Sequence, residues 1–242
     1  MDILHDDADL GVEYLAATAP GGPRRLVVAF SGIGHGFGGL QRREFVGTAA
    51  QGGLNAVAFV SDKKRSWYTT PGLVDRIAGL VTGLLDRLGL ESCDTLGNSM
   101  GGYGAARLAA AMPVGAALCF SPQASMDPAL IDEPRWAEHR PAIRLDNHPA
   151  LSAVLVPRTR YYFVFGAASR REVDHRNLIP DGPGRNFLML PGGGHNIVRL
   201  LKEAGELAPL VTAMLAQDDV AVAASIARYE AALAAGRLTG GE

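Results

Sequence analysis

Six short apolar runs frame this chain, each closed by glycine, proline or a polar turn. They fall at 25–30, 55–60, 93–97, 114–120, 161–165 and 186–190. Near-continuous runs of that length suit strands covered on both faces, and therefore a mostly parallel sheet. Helical patterns lie between them. Leu73, Ile77, Leu80, Leu84 and Leu88 recur at spacings of three and four within 72–90 and define one apolar face. Segment 100–112 is small and alanine-rich, and Pro113 prevents its continuation. A third helix is predicted over 197–207 with Asn196 as its N-cap. Strands alternating with helices predict an α/β fold, its central sheet flanked by helices on both faces through right-handed crossovers.

At 242 residues and 48% hydrophobic, the chain can bury the core of one domain spanning 1–242. Two stretches depart from the strand–helix rhythm. Segment 123–158, rich in Pro, Asp and Arg, reads as a short insertion or small cap. Segment 208–242 is alanine-rich and reads as C-terminal helices packed on the sheet, with a homodimer contact as the alternative use.

A formal net charge of -2 gives no support for a nucleic-acid binder. Cys93 and Cys119 sit in or beside apolar runs and read as buried free thiols. The N-terminal segment is acidic and has no signal-like apolar stretch, and no run is long enough for a membrane span. A cytoplasmic location is the expectation.

The chemistry concentrates at Gly97-Asn98-Ser99-Met100-Gly101, a G-x-S-x-G pattern between a strand and an alanine-rich helix. A serine on such a sharp turn projects its hydroxyl above the sheet edge. Small residues on either side let the chain cross itself closely. The helix start behind it favours a developing anion.

In this pattern and its setting the chain resembles the α/β-hydrolases, from about residue 26 to about 207. The resemblance implies a Ser, Asp/Glu, His order along the chain. His195, in Pro191-Gly192-Gly193-Gly194-His195 after the last run, is then the expected general base. His5 and His35 precede the serine, and His139, His148 and His175 fit the order less naturally. The acid is expected after the 161–165 strand. Many members carry an aspartate three residues beyond the glycine there, but this chain has Ser169. Asp174 is preferred as the next aspartate on that loop, with Glu172 as the alternative.

The resemblance also implies an oxyanion hole. One N–H would come from Met100, the other from Gly32 or Ile33 in the glycine-rich loop after the first run. His35, Tyr103 and Trp136 are expected to border the substrate. Nine arginines face five acids between 135 and 185, which raises the question of an anionic substrate.

The expected protein is a serine hydrolase cleaving a small-molecule carboxylic ester or thioester through an acyl-enzyme. It would need no cofactor, and no metal-ligand spacing is present. The alternatives are acyl transfer by the same residues to an alcohol or saccharide, and a noncatalytic binding protein with the same fold.

Overall fold

The computed structural model of the chain describes residues 1–34, 41 and 43–238. One eight-stranded sheet runs through it. Its strands are β1 (Asp2–Asp6), β2 (Leu10–Leu15), β3 (Leu26–Phe30), β4 (Ala56–Asp62), β5 (Cys93–Asn98), β6 (Val114–Phe120), β7 (Arg160–Gly166) and β8 (Arg185–Leu190). Their spatial order is β1-β2-β4-β3-β5-β6-β7-β8. From β4 to β8 all neighbours are parallel, and β2 pairs antiparallel with both β1 and β4.

The six apolar runs are the six parallel strands. The β1–β2 hairpin was not predicted, since its segment reads as acidic. Yet Leu10, Val12 and Tyr14 point inward at alternate positions and join the core on one face of the sheet.

Seven helices are described. They are α1 (Val46–Ala50), α2 (Leu73–Leu88), α3 (Met100–Ala111), α4 (Arg170–Asn177), α5 (Ile197–Glu203), α6 (Leu207–Ala216) and α7 (Asp219–Ala234). The strands divide their side chains between two cores, as a doubly covered sheet requires. Leu26, Val28 and Phe30 of β3 join α2 and α3 on one face, while Val27 and Ala29 join α1 and the C-terminal helices on the other. A side chain as fully buried as Val28 contributes about 1.5–3 kcal/mol.

On α2, Leu73, Ile77 and Leu84 are buried as the spacing predicts, with Val81 between them, and Leu80 and Leu88 pack at the margin. The helix predicted over 197–207 stops at Glu203, because Gly205 takes φ +75° and turns the chain into α6. Asn196 does stand at the head of α5, but its amide accepts from Gly194 N–H instead of capping the helix. Cys93 and Cys119 are buried and free.

Between β6 and β7 the chain forms three 3-10 turns, Pro134–Ala142, Leu145–Asn147 and Leu151–Ala153, and no strand. This segment lies over the C-terminal edge of the parallel strands, where loops of such sheets carry their chemistry. Among the described residues no helix is long and apolar enough to cross a membrane.

Candidate active site

Ser99 sits between β5 and α3 with φ 58° and ψ -124°, a conformation that L-residues rarely adopt. The crossing is close enough to demand glycine. A Cβ on Gly97 would run into the Gly101 carbonyl, and one on Gly101 into the Phe30 carbonyl. The elbow thus rests directly on the end of β3.

His195 lies on the turn between β8 and α5. Its Nε2 is 2.9 Å from Ser99 Oγ, and its Nδ1 is 2.9 Å from Glu172 Oε1. The histidine loop is anchored from behind: the Tyr229 hydroxyl of α7 donates to the Pro191 carbonyl at 2.6 Å.

Glu172, not Asp174, meets the histidine. The expectation for Asp174 assumed an open loop, but the segment is helix α4. Residues two apart on a helix are turned by about 200°. Glu172 therefore points inward with no exposed surface. Asp174 is half-exposed and faces Arg170 at 3.8 Å. Ser169, at the position where an aspartate was sought, stands at the head of this helix. A longer glutamate one turn farther on reaches the same imidazole.

Burial pushes the Glu172 carboxyl up, but hydrogen bonds from His195 and Arg135 outweigh it and hold the group below the usual range. Its place in the first turn of α4 adds to the same preference.

Gln123, which the sequence reading did not single out, also reaches the serine. Its Nε2 lies 3.2 Å from Ser99 Oγ and donates to it. Trp67 Nε1–H donates to Gln123 Oε1 at 3.1 Å, and the same oxygen lies 3.4 Å from Ser99 Oγ. The only advance signal was its position just past the end of β6, on the functional edge of the sheet.

Trp67 belongs to a turn after β4 in which Arg65, Trp67 and Tyr68 all have positive φ. Buried Asp62 holds that turn by accepting from the N–H groups of Lys64, Ser66 and Tyr68 and from the Ser66 hydroxyl. The turn in turn supports the loop after β3. Arg65 Nε donates to the Ile33 carbonyl at 3.0 Å, and the Tyr68 hydroxyl to the Ser31 carbonyl at 3.0 Å.

The two residues expected to supply the second oxyanion donor separate here. Gly32 N–H donates to Glu44 Oε1 at 3.2 Å, so that donor is engaged within the protein. Burial raises the Glu44 carboxyl to about 7, against the opposing effect of that hydrogen bond. Ile33 follows with its carbonyl fixed by Arg65. Met100, the first residue of α3, is fully buried beside Ser99.

Of the residues expected to border the substrate, Trp136 lies with its ring centroid 5.5 Å from that of His195 and 6.4 Å from Trp67. Tyr103 does not reach the site surface. It is fully buried, stacks on His148, and donates its hydroxyl to the Pro149 carbonyl. Four residues past Ser99 on α3, it lies under the segment that follows β6. His35 lies outside the described residues.

The arginine excess is largely turned to internal use. Arg135 serves Glu133 and Glu172, Arg158 the carbonyls of Ala109 and Met112, Arg160 Asp219, and Arg176 Asp181. Among the described residues no group of three or more His, Cys, Asp or Glu converges to hold a metal ion.

No protein-family model and no curated protein matches the chain. Solved structures do. Est1E from Butyrivibrio proteoclasticus superposes with a TM-score of 0.54 at 14% identity, over 85% of this chain and 94% of that one. An α/β serine hydrolase homologue from Coxiella burnetii gives 0.53 at 16% identity, over 85% and 93%. The enol-lactonase from Burkholderia xenovorans LB400 gives 0.52 at 15% identity, over 86% and 97%. The chain has the α/β-hydrolase fold, as the resemblance at the serine turn implied.

Proposed function

We propose that this protein is a serine hydrolase that cleaves a small carboxylic ester or thioester. The observation that carries the reading is the continuous chain from Ser99 Oγ through His195 to Glu172 Oε1, both links at 2.9 Å. In that arrangement Nδ1–H of His195 donates to the ionised Glu172, which leaves Nε2 to take the serine proton.

Ser99 Oγ attacks the carbonyl carbon as its proton passes to Nε2. The carbonyl oxygen becomes an oxyanion, which accepts hydrogen bonds from the N–H groups of Met100 and Ile33. Gly32 is not assigned that role, because its N–H already donates to Glu44. Collapse of the adduct expels the alcohol or thiol, which takes the proton from His195. Water then attacks the acyl-enzyme, gives its proton to Nε2, and releases the acid as Ser99 recovers its own. Trp136 supplies an apolar wall beside the imidazole.

The test is intact-mass analysis after fluorophosphonate treatment, followed by a panel of p-nitrophenyl esters and acyl thioesters. One adduct on the wild type and none on Ser99→Ala is the expected result. Absence of an adduct on the wild type would overturn the reading.

A further inference from the structure

The buried groups behind Glu172 form a second layer that the proposed reaction does not use directly. Arg135, on the turn Pro134–Ala142, donates from Nη1 to Glu172 Oε1 at 3.0 Å, the same oxygen that His195 holds. The rest of its guanidinium is taken by Glu133: Nε lies 2.8 Å from Oε1, and Nη2 donates to Oε2. Glu133 Oε2 also meets His175 Nε2 at 2.9 Å. His175 stands one turn after Glu172 on α4 and is equally buried.

The protons in this layer are assigned by its own geometry. His175 Nδ1 accepts from Ala124 N–H at 3.2 Å, so Nε2 carries the hydrogen and donates to Glu133. With Nδ1 committed to an amide, His175 is not available as a base. Ala124 follows Gln123, whose amide touches Ser99. The layer therefore closes on itself, from Ser99 through His195, Glu172, Arg135, Glu133 and His175 back to the residue beside Gln123.

We infer that Arg135 and Glu133 are positioning residues that keep the acid of the triad ionised and oriented, so that the segment between β6 and β7 completes the catalytic centre. The inference rests on the serine-hydrolase reading. A carboxylate with no exposed surface is driven by desolvation toward its neutral form, and a neutral acid cannot stabilise an imidazolium. Arg135 opposes that drive. Glu133 fills the other side of the fork and leaves Nη1 aimed at Glu172. The groups that face Glu172 are His195 from the β8–α5 turn and Arg135 from the 3-10 turn, with Glu133 behind Arg135 and His175 on its own helix.

The two residues carry opposite charge, so their removal has opposite consequences for pH dependence. As pH falls, the first proton taken up by the hydrogen-bonded Ser99–His195–Glu172 array blocks Nε2, so the acid limb belongs to the array and not to Glu172 alone. Arg135→Met removes a positive charge beside the array, which then takes up that proton more readily, so the acid limb moves to higher pH. Glu133→Gln removes a negative charge and leaves the Arg135 charge less neutralised, so the limb moves to lower pH.

The experiment is the rate of fluorophosphonate labelling at Ser99 against pH for the full chain, each profile normalised to its plateau. A displacement of one unit would make Arg135→Met about tenfold slower than the wild type on the acid limb. Glu133→Gln should be faster there, and Arg135→Lys should lie between Arg135→Met and the wild type. Superimposed limbs, or shifts of both charge-removing variants in the same direction, would overturn the inference. If Arg135→Met has no cooperative melt, Glu133→Gln and Arg135→Lys decide it, and unshifted limbs in both would overturn it. A wild type that takes no adduct is a separate result, which overturns the parent reading as well.

Discussion

Glu172 and Asp174 stand two residues apart on α4 and face opposite ways, one against His195 and the other toward solvent and Arg170. Substitution separates their roles. Glu172→Gln preserves shape but presents an amide to Nδ1 and no longer stabilises the charged imidazole. Labelling and ester turnover are expected to fall about 10³–10⁴-fold. Asp174→Asn should stay within about twofold of the wild type, as for a surface charge with a 3.8 Å partner. Rates measured side by side at pH 8 check both.

Ser99 occupies a conformation that costs on the order of 1–3 kcal/mol for a residue with a Cβ. Ser99→Ala retains that cost, so it should abolish turnover while leaving the melting temperature near that of the wild type. Ser99→Gly relieves it and should melt above Ser99→Ala by a few degrees. Thermal unfolding of the two variants measures the difference.

Gln123 donates to the serine oxygen and is aimed by Trp67. Gln123→Leu removes the donor next to the reacting atom, with an expected loss of about 10–100-fold in kcat and little change in KM. Trp67→Phe keeps the ring but releases the amide, and a smaller loss in the same parameter is expected. Steady-state kinetics on one p-nitrophenyl ester tests the pair.

Glu44 has a folded pKa of about 7 against the ordinary 4.5. The folded state therefore holds this proton more tightly than the unfolded chain. By linkage, the contribution to stability falls as pH rises from about 4.5 to 7 and stays low above that. Glu44→Gln should be more stable than the wild type at pH 8, by about 1–2 kcal/mol after allowance for partial exposure. The gap should narrow toward pH 5. Urea denaturation at the two values gives the comparison.

The parallel strands were legible because each is a local apolar run, and Ser99 because its turn needs small neighbours in a fixed pattern. His195 followed from a glycine-rich loop after the last run. The acid was less accessible. The α4 sequence is so polar that it shows no apolar stripe, and without a helix there is no reason to prefer Glu172 over Asp174. Tyr103 was misplaced for a related reason. It lies within the serine motif, but helical geometry carries its ring under the neighbouring segment. Gln123, Glu133 and Arg135 owe their positions to packing between distant parts of the chain, which no local pattern records. The β1–β2 hairpin was hidden by its charge, although its inward residues alternate.

The Tyr229 bond to the Pro191 carbonyl gives the reactive centre a place in time. The histidine loop is tied to α7, the last helix of the described chain, while the serine turn belongs to strands laid down much earlier. A chain made only as far as α6 would carry Ser99 with the His195 loop lacking its tie at Pro191. On this reading the appearance of reactivity reports that α7 has docked against the histidine loop.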